Sequence, residues 1–373
     1  MKFKVIVSGL FILLALCVLG TAMLGYANMR YTSQNAVLNY IRQNPADIAV
    51  ACFDPAKPAA GFYHNAGEAY PLASTFKIVI LLAYAEQVHA GVLDPAEQIP
   101  LTALEAYYLP DTDGDAHPEF LKSLGEARAS LSLAEVVEGM MTYSSNAASD
   151  YLLARLAGFD WPGFYQRLGL EQTSLPHSYL GLYLYMTNHE TGTYDLTSLG
   201  PEATLAEQVR LEGLFVNDLS WREAELRYAA NFTNRAPLDV QKDVTANFGV
   251  HASATDLGRL MTAIYGADEI LAPRVREIAR QYLEWPMRLN PDNAKTFRVL
   301  AVKNGAWPAV LTSAWYADPL EAEPLVLVVF YRNMPDDFWN AWVASFSQQM
   351  LEVDVLTESD CSLLSQALEP ASP

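Results

Sequence analysis

Apolar residues gather near both ends of this chain in short continuous runs, while its middle carries the three-to-four spacing of amphipathic helices. Ile48-Ala49-Val50-Ala51-Cys52-Phe53 lies between Asp47 and Asp54-Pro55, and Gly61-Phe62-Tyr63-His64 follows it. Two such runs separated by Pro and Gly predict a hairpin. Strand character returns at residues 297–302, 309–316 and 325–331, the last being the most apolar. Between these ends, residues 76–88 predict an apolar helix that Gly91 terminates. The capping boxes Ser132-Leu133-Ala134-Glu135 and Ser253-Ala254-Thr255-Asp256 open two more, the first carrying Leu133, Val136, Val137 and Met140 on one face. Residues 34–42 read as a short helix and 338–351 as a final amphipathic one. Residues 181–248 are polar and mostly helical, with helices at 205–214 and 221–228, and the chain beyond Glu352 reads as a polar tail. Strands at both ends with helices between them imply a sheet whose two sequence halves meet in space, with a helical lobe inserted.

The N-terminus changes the picture. Met1-Lys2-Phe3-Lys4 precedes an uncharged apolar run over residues 5–24, then Gly25-Tyr26-Ala27, and Arg30 is the next charge. Both an export signal cleaved after Ala27 and an uncleaved membrane anchor fit residues 1–27, and either places the body outside the cytoplasm. Bulky Leu16 disfavours a lipid-modified Cys17. A net charge of −19, from 24 Lys and Arg against 43 Asp and Glu, argues against a nucleic-acid partner. Of the remaining cysteines, Cys52 and Cys361, two separate thiols are expected rather than a disulfide, and no spacing resembles a metal site built on Cys.

The candidate chemistry begins at Ala73-Ser74-Thr75-Phe76-Lys77. A Ser hydroxyl is a weak nucleophile until a base takes its proton, and residues three apart share a helix face, so Lys77 is placed to activate Ser74. Alone the pair is an ordinary helix start. Two further motifs follow in order, Ser144-x-Asn146 and Lys303-Asn304-Gly305. The set resembles the serine β-lactamase and penicillin-binding protein family, whose signatures are S-x-x-K, S-D-N and K-T-G, and is most similar to class A β-lactamases. The flanks Pro71-Leu72-Ala73 and Met141-Thr142-Tyr143 look like their class A counterparts, and the resemblance runs from about residue 48 to 351, apart from much of 181–248.

That resemblance implies an α/β fold of the α+β type: a five-stranded antiparallel sheet flanked by helices, plus an all-helical lobe with the active site between them. The sheet would come from about 46–66 and 296–333, and the lobe from about 70–290 with an extra segment at about 182–247. The catalytic domain would span 28–352, leaving 353–373 as the tail. It also implies roles. Ser74 becomes acylated, Lys77 takes its proton, and Ser144 relays a proton to the leaving nitrogen. Asn146 holds the substrate's side-chain amide and orients Lys77. Lys303 faces the cleft and attracts a carboxylate, Asn304 and Gly305 line it, and the backbone N–H groups of Ser74 and Ala306 form the oxyanion hole. No cofactor or metal is called for, and a monomer acting on a small-molecule or peptidoglycan-derived substrate is expected.

The sequence departs from the family in the loop after the second motif. Class A enzymes carry a deacylating Glu there, whereas Pro176-His177-Ser178-Tyr179-Leu180-Gly181 has no carboxylate. Tyr179 falls near its place, and the nearest acids are Glu171 and Glu190. Ser145 replaces the Asp of S-D-N, Asn304 replaces the Thr of K-T-G, and Trp307 adds a bulky ring. Tyr108 resembles the family's cleft-wall aromatic and fits a core position equally. Asp111-x-Asp113-Gly114-Asp115 reads as an acidic surface turn, because its Gly comes too early for a calcium loop and Lys122 stands where the closing Glu belongs. His177 and His251 are lone imidazoles. Three activities remain open: β-lactam hydrolysis, D,D-peptidase action on stem peptides, and a sensor that is acylated or merely binds without turnover.

Overall fold

A computed structural model describes residues 31–125, 128–193, 200–267 and 269–369. The N-terminal apolar run, and with it the signal or anchor expectation, lies outside them. Among the described residues no helix is long and apolar enough to cross a membrane.

Five strands form the central sheet: β1 (Ile48–Phe53), β2 (Phe62–His64), β3 (Phe297–Trp307), β4 (Val310–Pro319) and β5 (Leu325–Tyr331). Their spatial order is β2-β1-β5-β4-β3, with every pairing antiparallel. The first and last segments therefore meet at the centre, with Val50 opposite Val329, and β3 is left as an edge. Every residue of β1 and β5 is buried, which explains why they read as continuous apolar runs rather than alternating ones.

Alternate side chains enter two cores. Ala49, Ala51, Val326 and Val328 pack with helix α1 (Lys77–His89) and the helices Ala254–Tyr265 and Pro273–Leu283. Ile48, Val50, Cys52, Leu327 and Val329 pack on the opposite face against Gln34–Gln43 and the C-terminal helices. Between the sheet halves in sequence come α2 (Asn146–Arg155) and α3 (Tyr179–Met186), then the extra segment's α4 (Pro201–Asn217), α5 (Leu219–Ala229) and α6 (Leu238–Phe248). These last helices share a third core with Ala73, Tyr179 and Trp307, so the extra segment packs directly against the nucleophile turn and the end of β3.

Two expectations are corrected at the C-terminus. The single helix over 338–351 is two, Asp336–Ser345 and Ser347–Glu358, broken at Phe346 with φ of 56°. The polar tail is helical: Ser347–Glu358 continues past Glu352, and a further helix, Ser362–Leu368, buries Leu364, Ala367 and Leu368 in the second core. Cys361, just before that helix, is disulfide-bonded to Cys52 of β1, so the two are not separate thiols. Cys52 is fully buried on the face those helices cover, which is why residues 309 positions apart meet.

Candidate active site

Ser74 sits on a tight turn, Ala73–Phe76, that feeds straight into α1. Ala73 has φ of 47°, a conformation that strains any residue with a side chain, and its carbonyl accepts the Tyr179 hydroxyl at 3.0 Å. The turn is stitched to the sheet: the Thr75 hydroxyl donates to Thr312 Oγ1 at 2.6 Å, which in turn donates to the Leu72 carbonyl at 2.7 Å. Gly305 completes the fit. A Cβ there would lie 2.7 Å from the Leu72 carbonyl oxygen, Ser74 N and Thr312 Oγ1, so no side chain is accommodated where β3 meets the turn.

Lys77 is fully buried. Its Nζ donates to the Ser144 carbonyl at 2.5 Å and to Asn146 Oδ1 at 2.9 Å, and lies 3.3 Å from Ser144 Oγ. Ser144 itself has φ of 72° and ends a wide turn, Gly139–Tyr143, before α2. Ser145 keeps a structural role as its Oγ accepts from Ala148 N at the start of α2 and bonds His117 Nδ1 at 2.9 Å. Lys303 is 1% exposed and lies directly beneath the cleft, donating to Ser144 Oγ and to the Asn304 carbonyl, each at 3.0 Å. The Ser144 hydroxyl thus lies between two buried amines. Burial, and then the Lys303 charge, hold Lys77 well below the usual lysine range, while burial brings Lys303 down to about 7.

Ser74, Ser144, Asn146, Asn304, Gly305 and Ala306 line one cleft of about 600 Å³. Trp307 forms part of its wall, stacked on Tyr183 with ring centroids 5.2 Å apart and on Tyr179 at 6.2 Å. Tyr179 occupies the loop where a carboxylate was sought. Its ring lies over Lys77 Nζ at 4.9 Å, and burial raises its hydroxyl far above the range of a base. Behind it, buried Asp150 accepts the Tyr179 and Leu180 amides at 2.9 and 2.8 Å and fixes the start of α3. Neither Glu171 nor Glu190 lines the cleft: Glu171 is exposed, and Glu190 pairs with Arg210 and Trp221 Nε1.

The sequence reading missed Asp113. Assigned to a surface turn, it lines the cleft with Ser74 and accepts the amides of His117 at 3.1 Å and Asn146 at 3.3 Å through Oδ2. Its buried Oδ1 has no partner among the described residues, and burial raises its pKa. No local signal marks it, because His117 and Asn146 close over it only in three dimensions. Tyr108 packs on His117 at 4.6 Å and does not line the cleft. His177 and His251 are held by backbone carbonyls of Phe248, and of Gly249 and Ala246. Among the described residues no group of three His, Cys, Asp or Glu is placed to hold a metal ion.

A β-lactamase from Chitinophaga pinensis DSM 2588 shares this fold at 16% identity, with a TM-score of 0.52 over 86% of this chain and 99% of that one. An ancestral Gram-negative class A β-lactamase aligns at 18% identity and a TM-score of 0.48, covering 89% and 98% of the two chains. A mutant of PBP-A, solved as an acyl-enzyme complex with penicillin G, aligns at 18% identity and 0.48, covering 86% and 97%. Comparison with curated proteins finds no match. The model of the β-lactamase enzyme family matches residues 32–353, nearly all of the chain outside its two ends, and the protein belongs to that family.

Proposed function

We propose that the protein is a serine hydrolase that forms an acyl-enzyme through Ser74 on an amide substrate, with β-lactams as the substrates the family implies. The observation that carries this reading is the Ser144 hydroxyl within 3.3 Å of Lys77 Nζ and 3.0 Å of Lys303 Nζ, both amines being buried. A buried amine that loses its proton readily is a competent general base. Ser74 Oγ bonds to the carbonyl carbon as its proton passes to Lys77. The oxyanion is received by the N–H groups of Ser74 and Ala306. Collapse breaks the C–N bond, and the leaving nitrogen takes the Ser144 proton, which Ser144 recovers from Lys77.

Water must then cleave the ester. With Tyr179 where the loop carboxylate would stand, slow deacylation is expected. That expectation favours a second reading, a D,D-peptidase, whose deacylation does without the loop Glu. The Cys52–Cys361 bond supports an exported location, since disulfides persist in oxidising compartments. Intact-mass spectrometry after mixing with penicillin tests the reading. A covalent adduct that Ser74→Ala abolishes supports it, its decay time separates hydrolase from peptidase or sensor, and D-Ala release from a stem-peptide mimic identifies the peptidase. No adduct at all overturns acylation.

A further inference from the structure

Three oxygens lie within 3.3 Å of Lys77 Nζ, the Ser144 carbonyl, Ser144 Oγ and Asn146 Oδ1, and they belong to the residues on either side of Ser145. A rotation at Ser145 therefore moves all three at once. Ser144 holds a φ of 72°, a conformation that a residue with a side chain keeps only when its surroundings impose it. Ser145 supplies that hold. It is fully buried, its N–H donates to the Gly139 carbonyl at 3.0 Å, its carbonyl accepts the Ser149 hydroxyl at 2.8 Å, and its Oγ lies 2.9 Å from His117 Nδ1. Of these bonds the last leaves its own stretch of chain and reaches the helix Ala116–Ser123.

His117 is fully buried and fixed from several sides. Its ring packs on Tyr108 at 4.6 Å and on Phe120 at 6.3 Å, and its backbone N–H donates to Asp113 Oδ2 at 3.1 Å. That same oxygen accepts Asn146 N at 3.3 Å, so His117 is tied to residue 145 through its ring and to residue 146 through its backbone. The direction of the ring bond follows from its neighbours. Ser145 Oγ already accepts from Ala148 N at 3.1 Å, which leaves its own proton to be given, and His117 Nδ1 is the acceptor within reach. The imidazole proton then sits on Nε2, which is buried without a partner among the described residues. An apolar side chain of the same size would fill this space without an unpaired N–H, so packing alone does not account for a histidine here. Burial keeps the ring neutral by lowering its pKa to about 4, and the bond needs a neutral ring, because an imidazolium would leave the Ser145 proton without an acceptor.

We propose that His117 is a positioning residue of the active site: by accepting the Ser145 hydroxyl and sharing Asp113 with Asn146, it holds Ser144 and Asn146 in place around Lys77. The inference rests on acylation of Ser74, and the test separates the two. Acylation by saturating penicillin is followed by intact mass in the wild type, His117→Leu and His117→Asn, with urea melts on each. Leu fills the site without a polar group, whereas the Asn side-chain oxygen takes the place of Nδ1 in a smaller residue. A merely structural role makes Leu the better substitute. Positioning makes it the worse: His117→Leu should acylate at least about tenfold more slowly, and His117→Asn should return to within about threefold of the wild type, even where Leu melts higher. Ser145→Ala removes the bond from its other side; it should also be at least about tenfold slow, and adding His117→Leu to it should cost less than about twofold more. It stands in, with the same outcomes, if His117→Leu does not fold. A His117→Leu rate within about threefold of the wild type, an Asn variant no faster than Leu, or losses that multiply in the double variant overturn the proposal. If the wild type forms no adduct, the acylation reading falls, and positioning is read at Lys77 itself by NMR of its isotope-labelled Cε. The pH at which Lys77 titrates should move by at least about 0.5 in His117→Leu and stay within about 0.2 of the wild type in His117→Asn, and a value unmoved in both refutes the proposal.

Discussion

Breaking the Cys52–Cys361 bond should lower stability by several kcal/mol. The cross-link closes a loop of 309 residues between the second-strand neighbour β1 and the C-terminal helix. In the chain-entropy picture a loop of that length removes about 19 cal/mol/K from the unfolded ensemble, or about 6 kcal/mol at 25 °C. Unfolding entropy for a chain of this size is about 0.7 kcal/mol per degree, so the melting temperature should fall by about 8 °C. The native side adds a local effect: the helix Ser362–Leu368, freed from Cys52, is held by the buried Leu364, Ala367 and Leu368 and the partly buried Leu363. The measurement is calorimetry of the protein with and without reductant, beside a Cys52→Ala/Cys361→Ser variant. Thiol titration of the folded oxidised protein should detect at most Cys17. Reduced and oxidised melts that coincide within about 2 °C would refute the reasoning, and so would a double variant as stable as the oxidised parent.

Four other outcomes follow from the geometry. Acylation of Ser74 should rise with pH to a plateau reached well below the ordinary lysine value of 10.5, since burial favours neutral Lys77, and Lys77→Arg should slow it at least about hundredfold in the same mass-based assay. Tyr179→Phe removes the bond to the Ala73 carbonyl and should lower stability by about 1 kcal/mol in urea melts, with slower acylation as the turn relaxes. Gly305→Ala forces a Cβ against backbone atoms at 2.7 Å and should cost about 1–3 kcal/mol while abolishing the adduct. Glu352, buried and donated to by Trp315 Nε1, is pushed by burial from 4.5 to about 7. The folded protein then holds a proton that the unfolded chain releases, so stability should fall between about pH 4.5 and 7 by about 3 kcal/mol, and Glu352→Gln should flatten that slope in melts across the range.

The parts of this molecule that could be read from its residues are those whose causes are local. β1 and β5 announce themselves because both faces are covered; the capping box at Ser132 is present, while Ser253 caps its helix alone, its Oγ accepting from Asp256 N as Asp256 itself turns to Gln172 and Thr173. The three motifs come together around Ser144 because each sits at a helix start or a strand crossing. What escaped was set by distant partners. Cys361 pairs across 309 residues, and Leu364 and Leu368 sit among polar neighbours whose burial depends on the sheet behind them. Asp113 looks like one more acid in a turn until His117 and Asn146 donate to it. Lys303 shows the reverse: its motif was legible, but burial beneath Ser144 depends on how α2 meets β3.

Strand β3 presents a face as well as an edge, and the nucleophile turn is pressed onto that face: a Cβ at Gly305 would meet the Leu72 carbonyl, Ser74 N and Thr312 Oγ1 of the next strand at 2.7 Å. The turn that carries Ser74 and the strand that carries Ala306 therefore behave as one rigid seam. Changes that lift the turn away from β3 should silence the protein by parting the two, even where the rest of the fold survives.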